Sequence, residues 1–202
     1  MMTRIVKDPA ERRMELIEAA ERLFAKKGYE DTAVSDIVKE IKVGQGTFYH
    51  YFRSKEDILE AVAEKHAAPL VEEISRIAKS DANPAYKLNS MLNSFLKAEN
   101  SELQLMKLLQ QKGNYLLHHK QEEIIEAKVL PLMVEIAVKG TEERYFNTEH
   151  PKESVVFLLF STLFLSHSFS SESEEREGMR IALEDITARV LGVNGYRFHL
   201  EI

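Results

Sequence analysis

Residues 43–57, VGQGTFYHYFRSKED, place four aromatic rings within five positions, at Phe48, Tyr49, Tyr51 and Phe52, and follow them at once with five polar or charged residues. A short helix from about Gln45 to Tyr51 or Phe52 would sort those rings, because side chains three and four positions apart share a face. Phe48 and Phe52 fall on one side. Gln45, Tyr49 and Arg53 align on another, flanked by Gly46, Thr47 and His50. One face can anchor the helix while the other presents polar tips on rigid bodies, and Gly46 lets a partner approach the backbone closely.

The flanking sequence supplies neighbours for such a helix. Asp8-Pro9-Ala10-Glu11 reads as a cap, a proline at the first helical position and a capping-box acid, so a first helix is expected over about Pro9–Lys27. Leu16, Ala20, Leu23 and Phe24 recur along it at helical spacing, and Gly28 supplies its stop. Thr32 caps a second short helix through about Glu40, with Ile37 and Ile41 on its inner face. Ser54-Lys55-Glu56-Asp57 caps a fourth, long helix running to about Lys79, with Pro69 inside it as an expected kink. Phe48 and Phe52 can then close a small core with Leu23, Phe24, Ile37, Ile41, Ile58 and Leu59. Three short helices with a tight turn between the second and third make a helix-turn-helix unit, the geometry that lays a helix against DNA. Lys55, opening the fourth helix, would bring its ammonium and free backbone N–H groups to a phosphate. On these residues alone, tyrosines that cap a core and tyrosines that meet DNA are equally open.

Composition narrows the remaining classes. A chain of 202 residues that is 44 % hydrophobic can bury a proper core, and the absence of cysteine removes disulfide scaffolds, thiolate metal sites and cysteine nucleophiles. The N-terminus lacks the apolar stretch of a signal peptide, and the longest apolar run, Val155 to Leu165, is shorter than the roughly 18 residues a bilayer span needs. A cytoplasmic protein with no membrane partner is expected. Charge is divided unevenly: residues 1–55 carry 11 Lys and Arg against 9 Asp and Glu, and residues 56–202 carry 16 against 24. A slightly basic head on an acidic body suits a chain that meets phosphates at one end.

Helical punctuation continues to the end. Asn83-Pro84 opens a fifth helix, SELQLMKLLQQ (101–111) a sixth, and a seventh is interrupted at Pro131 and closed by Gly140. His150-Pro151 opens an eighth; Ser171 and Glu174 cap a ninth that ends near Gly192. The fold class is therefore all-α, about nine helices, with a three-helix domain over 1–54 and a larger helical domain over 55–202. Val155 to Leu165 is apolar nearly all round, and Met179, Leu183, Ile186 and Val190 form one stripe. Pairing of the last two long helices with their copies into a four-helix interface accounts for both patterns. No nucleophile and base pair, HExxH, metal-ligand motif or phosphate loop is present, so neither an enzyme nor a cofactor is expected. His118 and His119 are adjacent and point to different faces, which argues against a shared metal site. The competing classes are an all-helical small-molecule-binding protein or enzyme, and a DNA binder without sequence preference or effector control.

TAVSDIVKEIKVGQGTFYHYFRSKEDIL (32–59), preceded by LIEAAERLFAKKGYEDT (16–32), resembles the DNA-binding signature of the TetR/AcrR family of transcription regulators. The matching positions are Thr32, Ile37, Val43, Gly46, Thr47, Tyr49, Tyr51, Phe52, Ser54 and Lys55. The resemblance implies that Thr32, Gln45, Thr47, Tyr49, His50 and Lys55 touch DNA while Phe48 and Phe52 pack. It also implies a homodimer on a near-palindromic operator, most often a repressor, and a cavity for a small, largely apolar effector. Candidate lining residues are Met91, Phe95, Met106, Leu109, Tyr115, Met133, Phe157, Phe160 and Phe164, with Asn114, His118 and His167 as polar handles. Two departures stand out. Lys42 occupies a turn position where the family often has glycine, which asks a residue with a Cβ to take a positive φ, and Gly44 replaces a frequent serine cap.

Overall fold

The computed structural model describes residues 8–111, 115–168, 173–193 and 195–201, with the side chains of 98–111, 164–168 and 173–176 outside the description. Eight helices and no strand occur among the described residues: α1 Pro9–Lys27, α2 Val34–Glu40, α3 Gln45–Tyr51, α4 Lys55–Ala78, α5 Pro84–Gln111, α6 Tyr115–Glu142, α7 Pro151–Ser168 and α8 Ser173–Leu191. The chain divides into two compact units, Met1–Ala67 with Gln104–Ile124, and Ala68–Leu103 with Ile125–Ile202.

In the first unit the expected punctuation operates. The Asp8 carboxylate accepts the Ala10 N–H at 2.7 Å, Pro9 starts α1, and the Gly28 N–H closes it on Phe24 O. The Ser54 hydroxyl accepts the Asp57 N–H, and the Asp57 carboxylate accepts the Arg53 N–H, so α4 opens with both ends of its first turn satisfied. Leu16, Ile17, Ala20 and Phe24 of α1, Ile37 and Val38 of α2, Phe48, Phe52 and Ile58, Leu59 and Val62 of α4 form one buried cluster, joined by Leu117 of α6. Leu23 and Ile41 lie at its edge, half-buried.

The second helix departs from expectation. Its cap is Ala33, not Thr32, and the Ala33 N–H is satisfied instead by the Asp36 carboxylate three residues on. Thr32 turns inward, where its hydroxyl donates to Gly28 O at 2.7 Å. It closes the end of α1 rather than the start of α2.

The second unit is built on longer helices than punctuation suggests. The expected fifth and sixth helices are one: nothing between Pro84 and Gln111 is a glycine or proline, so the polar run around Asn100 has no residue able to stop the ladder. α6 likewise passes through Pro131 and Gly140 to Glu142. Gly140 is a packing device there, since a Cβ would meet the Phe146 ring at 2.3 Å and Pro84 Cβ at 2.9 Å. Leu88, Met91, Leu92 and Phe95 of α5, Val129, Met133 and Ile136 of α6, Val155, Leu158 and Leu159 of α7, and Leu183 and Leu191 of α8 share one core.

Residues 195–201 complete that core without forming a helix or strand. Phe198 and Leu200 are buried, and Arg197, His199 and Glu201 face outward. The backbone is gripped by amide side chains of α5: Asn89 accepts the His199 N–H at 2.7 Å, while Asn93 donates to His199 O at 2.8 Å and accepts the Glu201 N–H at 2.7 Å. The Leu200 N–H donates to the Glu184 carboxylate, and Lys97 pairs with Glu201.

Candidate nucleic-acid interface

The turn between α2 and α3 is a Schellman motif. The Val43 N–H donates to Val38 O at 2.9 Å and the Lys42 N–H to Lys39 O at 3.2 Å, with Lys42 at φ 57. Lys42 thus carries the positive φ that its position asked for. Gly44 follows as an extended N-cap with no side-chain hydrogen bond, and α3 begins at Gln45.

Burial then sorts the rings of α3. Phe48 and Phe52 are wholly buried, 5.7 Å apart between centroids, and fix the helix in the core. Tyr49 stands edge-on to Phe48 and is 57 % exposed; Gln45, Gly46, His50 and Arg53 are exposed and Thr47 half-buried. His50 braces Tyr51 edge-on at 4.8 Å. The face along Gln45, Tyr49 and Arg53 therefore offers an amide, a phenol and a guanidinium, the groups that meet base edges and phosphates. A Cβ built on Gly46 meets nothing within 4 Å, so the backbone there is open to a partner.

The remaining interface candidates have other partners. Thr32 is interior, as described. Lys55 Nζ donates to Tyr29 O at 2.8 Å and to Glu30 O at 3.2 Å, and lies 4.2 Å from the centre of the Tyr29 ring.

Ion pairs brace the same unit. His66 Nε2 stands 3.0 Å from the Glu21 carboxylate and Lys65 2.6 Å from its other oxygen. The hydrogen bond to His66, helped by Lys65 and opposed by burial, brings the Glu21 pKa down to about 2. Asp36 is also held below the usual carboxylate range, first by Lys27 and then by the Ala33 N–H. Neither Glu21 nor Tyr29 stood out as a site residue in the sequence. Glu21 in fact alternates with the apolar positions of α1, and KKGYEDT carries Tyr29 between two turn residues.

The candidate effector residues are scattered. Met91, Phe95 and Met133 are in the core of the second unit. Phe157 is 69 % exposed and Phe160 half-exposed, because Val155, Leu158 and Leu159 take the inward face of α7; neither lines the interior. Tyr115, 69 % exposed, and His118, 3.5 Å from Glu122, belong to the first unit. Met106, Leu109, Asn114, Phe164 and His167 lie outside the described side chains. No described helix is long and apolar enough to cross a membrane.

Residues 16–62, which contain α2, the turn and α3, match the family model described as bacterial regulatory proteins, tetR family. This segment is a TetR-family DNA-binding domain. The chain is 27 % identical over 169 residues to the HTH-type transcriptional repressor KstR2 of Mycobacterium tuberculosis, covering 82 % of this chain and 84 % of that one. The fatty acid metabolism regulator protein of Bacillus subtilis is 30 % identical over 116 residues, 56 % of this chain and 60 % of its own. The fatty acid degradation regulator FadR from Bacillus halodurans superposes with a TM-score of 0.64 at 22 % identity, over 96 % and 99 % of the two chains, and so shares the fold. With that domain, the chain is a DNA-binding regulator of transcription.

Proposed function

We propose that the chain is a homodimeric repressor that leaves a near-palindromic operator when a small, largely apolar effector occupies its body. The observation that carries the DNA reading is the division of α3: two buried phenylalanines hold Gln45, Gly46, Thr47, Tyr49 and His50 outward as one surface. Residues 1–54 form the reading head in this account and residues 55–202 the body. Dimerisation is supported by the last two helices, where Phe157 and Phe160 of α7 and Ile181 and Ile186 of α8 stay half or more exposed. Large apolar side chains left in water on neighbouring helices favour cover by a second copy. Two heads related by a twofold would then read an inverted repeat.

An apolar effector suits a body whose core carries Met91, Phe95 and Met133, and two of the relatives are named for fatty acid metabolism or degradation. The effector acts through α4, whose residues belong to both units. A coupling of about 1–3 kcal/mol is enough to weaken operator binding several-fold to a hundred-fold. The deciding experiment selects duplexes from a random pool at about 0.15 M salt, where nonspecific phosphate contacts are weakened. Enrichment of an inverted repeat is expected. Binding that is strong but indifferent to sequence would replace the operator-specific regulator with a general DNA binder.

A further inference from the structure

We propose that the groove between α5 and α8 is a peptide-binding site, which this chain fills with its own residues 195–201 and which also takes the same segment from a second copy. For its partner the inference rests on the homodimer reading. The segment is held by its backbone, yet the groups that hold it are side chains: the amides of Asn89 and Asn93 on α5 and the carboxylate of Glu184 on α8. Contacts of this kind follow the course of a peptide and leave its choice to the pockets for alternate side chains.

Two spacings match. Asn89 and Asn93 are about one turn apart on α5, a rise of about 6 Å, and they serve His199 and Glu201, two residues apart, which a chain spans in at most about 7 Å. Leu200, between them, sends its N–H to Glu184 instead, and Arg180 holds that carboxylate in place. Burial alternates with the same period. Tyr196, Phe198 and Leu200 pack on the core, with Tyr196 edge-on to Phe198 at 5.2 Å, while Arg197, His199 and Glu201 are exposed. The groove therefore selects apolar side chains at every second position.

The segment is separable from the helix before it. The Val193 N–H is tied to Ala188 O and Leu191 O accepts the Asn147 N–H, so the end of α8 is fixed. Gly195, at φ 84 with nothing within 4 Å of a built Cβ, is an uncrowded joint. Rotation there frees residues 196–201 without disturbing α8. That helix also carries the exposed Ile181 and Ile186 that favour cover by a second copy. Each segment thus leaves from a helix that two copies share, and such tethering offers a partner's segment to the groove at an effective concentration of about millimolar.

Phe198→Asp in the full chain weakens its own segment and leaves the groove intact. A fluorescein-labelled peptide of residues 195–201, GYRFHLE, is titrated into that variant and into the parent by anisotropy. Saturable binding about tenfold tighter in the variant is expected, because the tethered segment no longer competes, and adding Asn89→Ala with Asn93→Ala should abolish it. Binding no better than that of a scrambled peptide would overturn the site. The chain has no cysteine, so Asn93→Cys and Glu201→Cys in separate full chains test the exchange even where Phe198→Asp folds poorly. Mixed and oxidised, they should form a disulfide between residues 93 and 201 of different copies. Closure only within one chain, seen in the double variant and not in the mixture, overturns the exchange. A parent that sediments as a monomer sinks the homodimer reading and the exchange together, and the peptide titration still decides whether the groove is a site.

Discussion

α2 and α8 end on the same turn, built from different residues. In each the turn residue is left-handed, at φ 57 for Lys42 and φ 62 for Gly192, and a valine follows. In each the valine N–H reaches five residues back, Val43 to Val38 O and Val193 to Ala188 O, both at 2.9 Å. Their surroundings differ. A Cβ at 192 would sit 2.3 Å from Asn147 O, whereas Lys42 is exposed with room for its whole side chain. α6 supplies a third example, with Arg144 at φ 63 and the Tyr145 N–H on Gly140 O. A left-handed φ therefore does not by itself demand glycine in this chain. At Gly192 crowding by a neighbouring backbone does, whereas at Lys42 and Arg144 a long basic residue bears the local strain.

The sharpest way to break this contrast is Gly192→Ala. It combines left-handed strain with a collision against backbone that cannot swing aside, and a loss of about 3 kcal/mol is expected by urea unfolding. A loss no larger than the strain alone would mean that the 145–148 segment yields freely. Lys42→Gly should act the other way, gaining about 0.5–1 kcal/mol, because the strain goes and no contact is lost. Destabilisation in the same assay would show that the lysine stem packs or pairs in solution. Smallest of the three is Gly44→Ser. With φ −80 and nothing within 4 Å of a built Cβ, serine fits as an N-cap, and a gain of a few tenths of a kcal/mol is expected. A clear loss in melting temperature would place the start of α3 elsewhere.

The head was legible because each of its helices carries its own punctuation. Asp8-Pro9, Gly28 and Ser54 act locally, over a turn or less, and the spacing of Phe48 and Phe52 reports which face of α3 goes inward. Thr32 was expected to cap α2 and, with Lys55, to touch DNA; in the structure Thr32 donates to Gly28 O, and Lys55 donates to Tyr29 O and Glu30 O. A threonine hydroxyl or a lysine ammonium can serve a carbonyl within the chain as well as a partner outside it, and sequence spacing does not say which. In the body, Pro131 and Gly140 look like stops yet lie inside α6, since packing of neighbouring helices outweighs a local cost of about 1 kcal/mol for glycine or 3 for proline. The sign of Phe157 and Phe160 was missed for a related reason. α7 is so uniformly apolar that its sequence has no preferred inner face, and only the positions of its neighbours choose Val155, Leu158 and Leu159.

The amide clasp on residues 195–201 also sets a clock. Asn89 waits for His199, 110 residues further along the chain, and Phe198 and Leu200 belong to the same core as Leu88 and Leu92. At a synthesis rate of about 5–20 residues per second, that interval lasts roughly 5–20 s. Over that interval α6, α7 and α8 are made in turn while Asn89 and Asn93 still lack the closing segment, so a ribosome stalled just short of residue 198 leaves open an apolar surface that Phe198 and Leu200 cover in the finished protein.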